Sequence, residues 1–263
     1  MKKIALDAGH GMKTSGKQTP DGIKEWYLND KVRDKIVDLL KGYDIEFIFP
    51  DNNEGNTDES LSSRRQMYIA KNADVMVSIH HNAASGKWNN ATGVEVYTDK
   101  NSTAADRELA SLIYARLPKY TGLKGRGIKK ENWSVINQNK IPAVLVEGGF
   151  MDGKNDYPVI ISDKGQEGYA KAVAEALIEF IDLDKKTTNV CANVNPVNGT
   201  KVRFLEDMNV RTNAGIQYKI TTIAKKGFIY TITDSKDVNG VPWGKLKSGA
   251  GWVCIGSKYC VRV

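Results

Sequence analysis

Five short apolar runs, separated by stretches with helical spacing, confine the first two thirds of this chain to one class of fold. The runs are KKIALDAG (2–9), IEFIF (45–49), VMVSI (75–79), GVEVYT (93–98) and PAVLVEGG (142–149). They are rich in Val and Ile and continuous rather than alternating, which is the pattern of strands covered on both faces. Between them, apolar residues recur at helical intervals: Leu28, Val32, Ile36, Leu39 and Leu40, then Leu109, Leu112, Ile113 and Leu117 with Pro118 as a stop, then Tyr169, Val173, Leu177, Ile178 and Ile181. Strands alternating with helices predict an α/β domain over residues 1–183, with a mostly parallel central sheet flanked by helices.

The texture changes at Asp184. Residues 184–200, DKKTTNVCANVNPVNGT, are polar, rich in Asn and without period, and read as a linker. From Lys201 onward come short strand-like runs, MNVRTN, KITTIAKKGFIYTITD, VPWGKLK and GWVCIG, divided by Lys-Gly and Asn-Gly turn signals. No helical period appears there, so residues 201–263 are expected to form a small all-β barrel domain.

Charge divides at the same place. From Asp184 to the end there are 13 Lys or Arg against 5 Asp or Glu, a net of +8, so the rest of the chain, of net +7 overall, carries −1. A basic tail suits an anionic partner such as a phosphate-bearing cell wall, a nucleic acid or a membrane surface; a basic solvated surface is the plainer alternative. No apolar run is long enough to span a bilayer. MKKIALDAGHG lacks the apolar segment and cleavage site of a signal peptide, so no secretory route is predicted. Cys191, Cys254 and Cys260 have no metal-knuckle spacing and are expected to be reduced thiols packed as small apolar residues.

Three of the buried runs end in residues able to bind metal or move protons. His10 follows IALDAG, His80 follows VMVSI and Glu147 ends AVLVE. Ligands of parallel α/β sheets bind outside the carboxyl ends of the strands, so parallel pairing would gather these three at one edge. Glu25, in PDGIKEWYLN, sits where a Gly-containing loop gives way to the first helical pattern, near the same edge. Singly, either histidine reads as a polar strand cap and Glu25 as a carboxylate favoured by a helix N-terminus. Glu147 is harder to dismiss, because a buried carboxylate without a partner is costly. Together, two imidazoles and a carboxylate make a catalytic zinc set with a coordination position left for water, and a second carboxylate can carry the proton.

LDAGHG, GIKEWYLN, SIHHNA and PAVLVEGGF resemble, in order and spacing, the zinc-dependent N-acetylmuramoyl-L-alanine amidases, from Lys2 to about Leu183. The resemblance implies cleavage of peptidoglycan between the lactyl group of N-acetylmuramic acid and the L-alanine of the stem peptide. It implies zinc ligands at His10, Glu25 and His80, a catalytic glutamate at Glu147 and a structural role for Arg64. His81 falls on a variable position of the third motif. Neighbouring strand residues face opposite ways, so His81 is read as a polar neighbour on the other face, with the substrate groove as the alternative. GGFMDGKNDYP is longer than the family pattern, which puts a role for Asn155 in doubt. Asn132 stands where an acidic residue is more usual, and no catalytic role is assigned to its loop.

The tail is similar to bacterial Src-homology-3-like wall-binding domains, through MNVRTNAGIQYKITTIAKKG and PWGKLKSGAGWV. That similarity implies a wall ligand, with Tyr218, Phe228, Tyr230, Trp243, Trp252 and Tyr259 divided between core and platform. A basic tail suits a Gram-positive wall rich in anionic polymers. The expectation is a phage endolysin held in the host cytoplasm until released onto the wall, with no nucleic acid and no stable membrane anchor. Two alternatives stand beside it: a non-catalytic wall-binding protein on an amidase scaffold, and a different zinc amide hydrolase, such as a wall peptidase.

Overall fold

A computed structural model describes residues 1–52, 54–137, 140–183, 199–256 and 259–263. Two compact units divide it, Met1–Lys185 and Lys186–Val263. Most of the expected linker, with Cys191, lies outside the described residues.

The first unit contains a six-stranded sheet in the order β2-β1-β3-β6-β4-β5. β1 (Lys2–Ala8), β2 (Ile45–Ile48), β3 (Val75–Asn82) and β6 (Ala143–Phe150) are mutually parallel. β4 (Val94–Asp99) runs antiparallel to β6, and β5 (Gly125–Glu131) is parallel to β4. The sheet is therefore mostly parallel with two reversed strands at one side. As a result, the amino ends of β4 and β5 share an edge with the carboxyl ends of β1, β3 and β6.

Alternate strand residues feed two cores. Ile4, Leu6, Val75, Val77, Ile79, Val94, Val96, Val144 and Val146 face α1 (Glu25–Leu40), α3 (Ala104–Tyr114) and α6 (Asp163–Phe180). α1 contributes Leu28, Val32, Ile36 and Leu40, all buried, at the spacing the sequence shows; each such side chain stabilises by about 1.5–3 kcal/mol. On the other face, Ala5, Met76, Tyr97, Ala143 and Leu145 pack with Tyr68 of α2 (Leu61–Ala70) and with Val135 and Ile136. Helix starts are capped locally: Ser60 accepts from Ser63 N–H, Thr103 and Asp106 form a reciprocal capping box, and Ser162 accepts from Gly165 N–H. Two short helices, α4 (Leu117–Thr121) and α5 (Tyr157–Ile160), complete the unit. No helix among the described residues is long and apolar enough to cross a membrane.

The second unit is a seven-stranded, wholly antiparallel sheet in the order β13-β7-β10-β11-β12-β8-β9, spanning β7 (Thr200–Phe204) to β13 (Cys260–Arg262). Its all-β character matches the expectation from sequence. No pairing of β13 with β9 closes it into a barrel among the described residues. Trp243 and Trp252 belong to its core with Val202, Phe204, Val210 and Ile232, whereas Phe228 is 66% exposed. Cys254 and Cys260 are buried, and the Cys260 thiol donates to the Ile255 carbonyl at 3.4 Å.

Candidate active site

Parallel pairing of β1, β3 and β6 brings their carboxyl ends together, and the turn after β1 is shaped to let a ring lie against it. A Cβ at Gly9 would fall 2.0 Å from the His80 ring, so only glycine permits this approach. The next residue, His10, has φ = 68°, in the left-handed region that side chains rarely adopt. Arg64, buried on α2, holds that turn. Its guanidinium donates to the His10 carbonyl (2.7 Å), the Ala8 carbonyl (2.9 Å), Asp7 (2.6 Å) and Asp58 (3.0 Å), and its Nε to the Glu59 carbonyl (2.9 Å). Ser78 donates to the other Asp7 oxygen at 2.6 Å, which fixes the carboxylate between strand and helix.

Glu25 is the first residue of α1, a helix with no side-chain cap, and its carboxylate lies at the positive end of the helix dipole. It reaches both histidines: His80 Nδ1 lies 3.0 Å from Oε1, and His10 Nε2 lies 3.3 Å from Oε2. One ligand atom from each of His10, Glu25 and His80 falls within 4.8 Å of the others. Tetrahedral zinc, with ligands about 2.0–2.1 Å away, spaces them roughly 3.4 Å apart, so the donor set fits. The protonation pattern fits as well. Burial holds His10 down to about 4. Burial also opposes charge on His80, but the hydrogen bond and charge of Glu25 outweigh it and raise the His80 pKa. Burial penalises ionised Glu25 too, yet His80 and His10 keep it down to about 2. An anionic carboxylate gripped by imidazoles favours a cation in the position that a proton otherwise takes.

Glu147 is the register partner of His80 on β6, on the same sheet face. It is 8% exposed, and its Oε2 is buried with no hydrogen-bond partner among the described residues. Burial pushes its pKa up to about 8; His80 works against this, and the carboxylates of Glu25 and Glu95 add to it. A cleft of about 270 Å³ opens on His10 and His80 between the β1 turn and Arg64.

His81 faces the other way, as the alternation of strand residues requires. Its Nδ1 lies 2.8 Å from Asn29 Oδ1 on α1, and its ring meets the Tyr169 ring of α6 edge-on at 5.6 Å. Its backbone N–H donates to Glu25 at 3.3 Å, so it steadies the carboxylate from behind. Asn155 and Asn132 are exposed.

One acidic residue escaped sequence reasoning. Glu95 on β4 is the register partner of Glu147 from the other side and is fully buried. It accepts from Tyr97 Oη (2.5 Å), Asn82 Nδ2 (3.3 Å), Lys129 Nζ (2.5 Å) and Arg126 Nε. The signal was present: an acid inside the apolar run GVEVYT is the same anomaly that singled out Glu147.

The chain matches the N-acetylmuramoyl-L-alanine amidase family over residues 4–179. An endolysin of Bacillus phage SPP1 is 31% identical over 271 residues, an alignment that covers 98% of this chain and 97% of that one and so spans both units. Among solved structures, an N-acetylmuramoyl-L-alanine amidase from Clostridium difficile 630 superposes with a TM-score of 0.64 at 28% identity, covering 69% of this chain and 97% of that chain. The catalytic domain of CwlV, an amidase from Bacillus (Paenibacillus) polymyxa var. colistinus, superposes at 0.63 with 27% identity, covering 70% of this chain and all of that one.

Proposed function

Because this chain belongs to the N-acetylmuramoyl-L-alanine amidase family and is a peptidoglycan amide hydrolase, we propose that His10, Glu25 and His80 hold zinc and that Glu147 moves the proton in cutting the lactyl–L-alanine amide. The family is generally zinc-dependent. What carries the reading is one juxtaposition: a His-Glu-His triangle whose third member is in strand register with a buried carboxylate that has an oxygen left over.

Bound zinc supplies Lewis acidity towards the scissile carbonyl and acidifies water at this edge of the sheet. The remaining steps belong to the protein. Glu147 accepts the water's proton at Oε2 as oxygen attacks the amide carbon, then returns it to the leaving nitrogen. Its position, fixed by pairing on both sides in the sheet, leaves the free oxygen no other task. Arg64 and Gly9 hold the His10 turn and the His80 ring in place.

The second unit is proposed as the wall-targeting module, residues 201–263, joined to catalytic residues 1–183 by the segment 184–200. Its net +7 over residues 201–263 suits anionic wall polymers, and the full-length match to a phage endolysin supports a lysin that acts on a Gram-positive wall. Product analysis on purified walls tests the enzyme. New L-alanine amino termini without new reducing sugar, abolished by a chelator and restored by zinc, are expected. New amino termini on any other residue would make the protein a wall peptidase.

A further inference from the structure

The sheet row that carries His80 and Glu147 does not stop at β6. It continues through Glu95 on β4 to the edge strand β5. Buried Glu95 binds Arg126 through its Nε and Lys129 through its Nζ. Arg126 also lies over the Phe150 ring, 5.1 Å from its centre, and Lys129 lies 5.8 Å from the centre of Tyr97. Both cations are thus held in place from below while their side chains remain 38% and 37% exposed. Among the described residues, the two terminal nitrogens of Arg126 have no hydrogen-bond partner.

Neutralising Glu95 takes one cation; two leave an excess positive charge. An arginine with its Nε anchored and its face stacked, but its fork unspent, is preorganised for a planar bidentate anion, and a carboxylate fits that geometry. Strands in a sheet are about 4.8 Å apart, so β5 lies roughly 10 Å from Glu147. An extended peptide covers that span in about three residues. Of the two sides of the cleaved bond, the glycan offers neutral N-acetyl sugars and the stem peptide offers carboxylates.

Resting on the amidase reading, we propose that Arg126, assisted by Lys129, forms a carboxylate-binding subsite for the stem peptide, so that the peptide runs from Glu147 across β4 to β5. The lactyl side of the bond then lies towards the cleft between His10 and Arg64. Two peptide carboxylates come within this reach, the α-carboxylate of a second-position glutamate and a side-chain carboxylate at the third position.

Synthetic N-acetylmuramoyl peptides separate them: one with a free carboxylate only at the second residue, one with it only at the third, and one with both amidated. The native protein is expected to show a KM at least tenfold lower for one of the carboxylate forms than for the amidated form. Arg126→Gln should raise KM for that form by about tenfold, with kcat within roughly twofold, and leave the amidated form unchanged; Arg126→Lys should recover part of the loss. Equal KM values across the native series, or an Arg126→Gln loss of equal size on all three peptides, would overturn the subsite. Calorimetric binding to the Glu147→Gln protein is read in parallel. A preference for carboxylate there, with no lactyl–alanine cleavage by the native protein, would sink the amidase reading and leave the subsite standing. Equal affinities would remove the subsite whatever bond is cut.

Discussion

Glu147 is expensive to keep where it is, and its expense is measurable apart from catalysis. Its pKa lies at about 8 in the fold against an ordinary 4.5. The folded state therefore favours the protonated carboxyl, and the stability it contributes is complete below pH 4.5 and lost as pH rises towards 8. Glu147→Gln should flatten this loss: without metal, the variant is expected to be more stable than the native protein at pH 8 by roughly 1–3 kcal/mol, and about equal at pH 4.5. Urea midpoints across that range read it directly, and parallel pH curves for the two proteins would contradict it. His10 and His81 act in the opposite sense. Burial lowers both to about 4 from 6.5, so the metal-free protein loses stability as pH falls through that window, when neutral rings must take protons. In turnover, Glu147→Gln should bind zinc as the native protein does and lose cleavage by about 10²–10⁴-fold. Retained cleavage would take Glu147 out of the mechanism.

Among the elements, α2 shows how far sequence pattern reaches. LSSRRQMYIA has almost no apolar period, because its buried face consists of Arg64 and Tyr68, and a buried arginine is invisible to hydrophobic spacing. The same limit hid β5: GRGIKKE is a half-exposed edge strand with two glycines and few strand formers. β1, β3 and β6 were legible because burial on both faces forces continuous apolar runs, and the acids and histidines that interrupt or end those runs stand out. The reversal of β4 was not legible, since GVEVYT reads alike in either direction, and with it went the pairing that sets Glu95 beside Glu147. Arg64 carries a prediction at this scale. Arg64→Met removes the donors to the His10 carbonyl while keeping a long apolar stem in the core. His10 then loses the support for its left-handed turn, and zinc affinity should fall about 10–100-fold, the usual effect of removing a group that orients a metal ligand. A metal-binding titration with unchanged affinity would reduce Arg64 to a packing role. Gly9→Ala tests the same turn more harshly, since its Cβ would sit inside the His80 ring contact.

The whole molecule joins an almost neutral catalytic unit to a strongly basic one, each with its own core. If the tail's charge holds the protein on the wall, residence must depend on salt, because screening shortens the reach of exposed charges from about 8 Å at physiological ionic strength to about 3 Å at 1 M. Shape-based recognition of a wall peptide would be far less sensitive. Removal of residues 186–263 is therefore expected to leave cleavage of a small soluble muramoyl peptide within about twofold, since every group proposed for the chemistry lies in the first unit. On whole walls, cleavage by the shortened protein should fall by tenfold or more at physiological salt. The gap between the two proteins should close as salt is raised if charge is what targets the tail. Cosedimentation with purified walls over a salt series, read beside soluble-substrate turnover, separates the possibilities. Salt-resistant binding by the full chain would assign targeting to a specific pocket of the second unit. Equal wall binding by the shortened protein would move it to the catalytic unit.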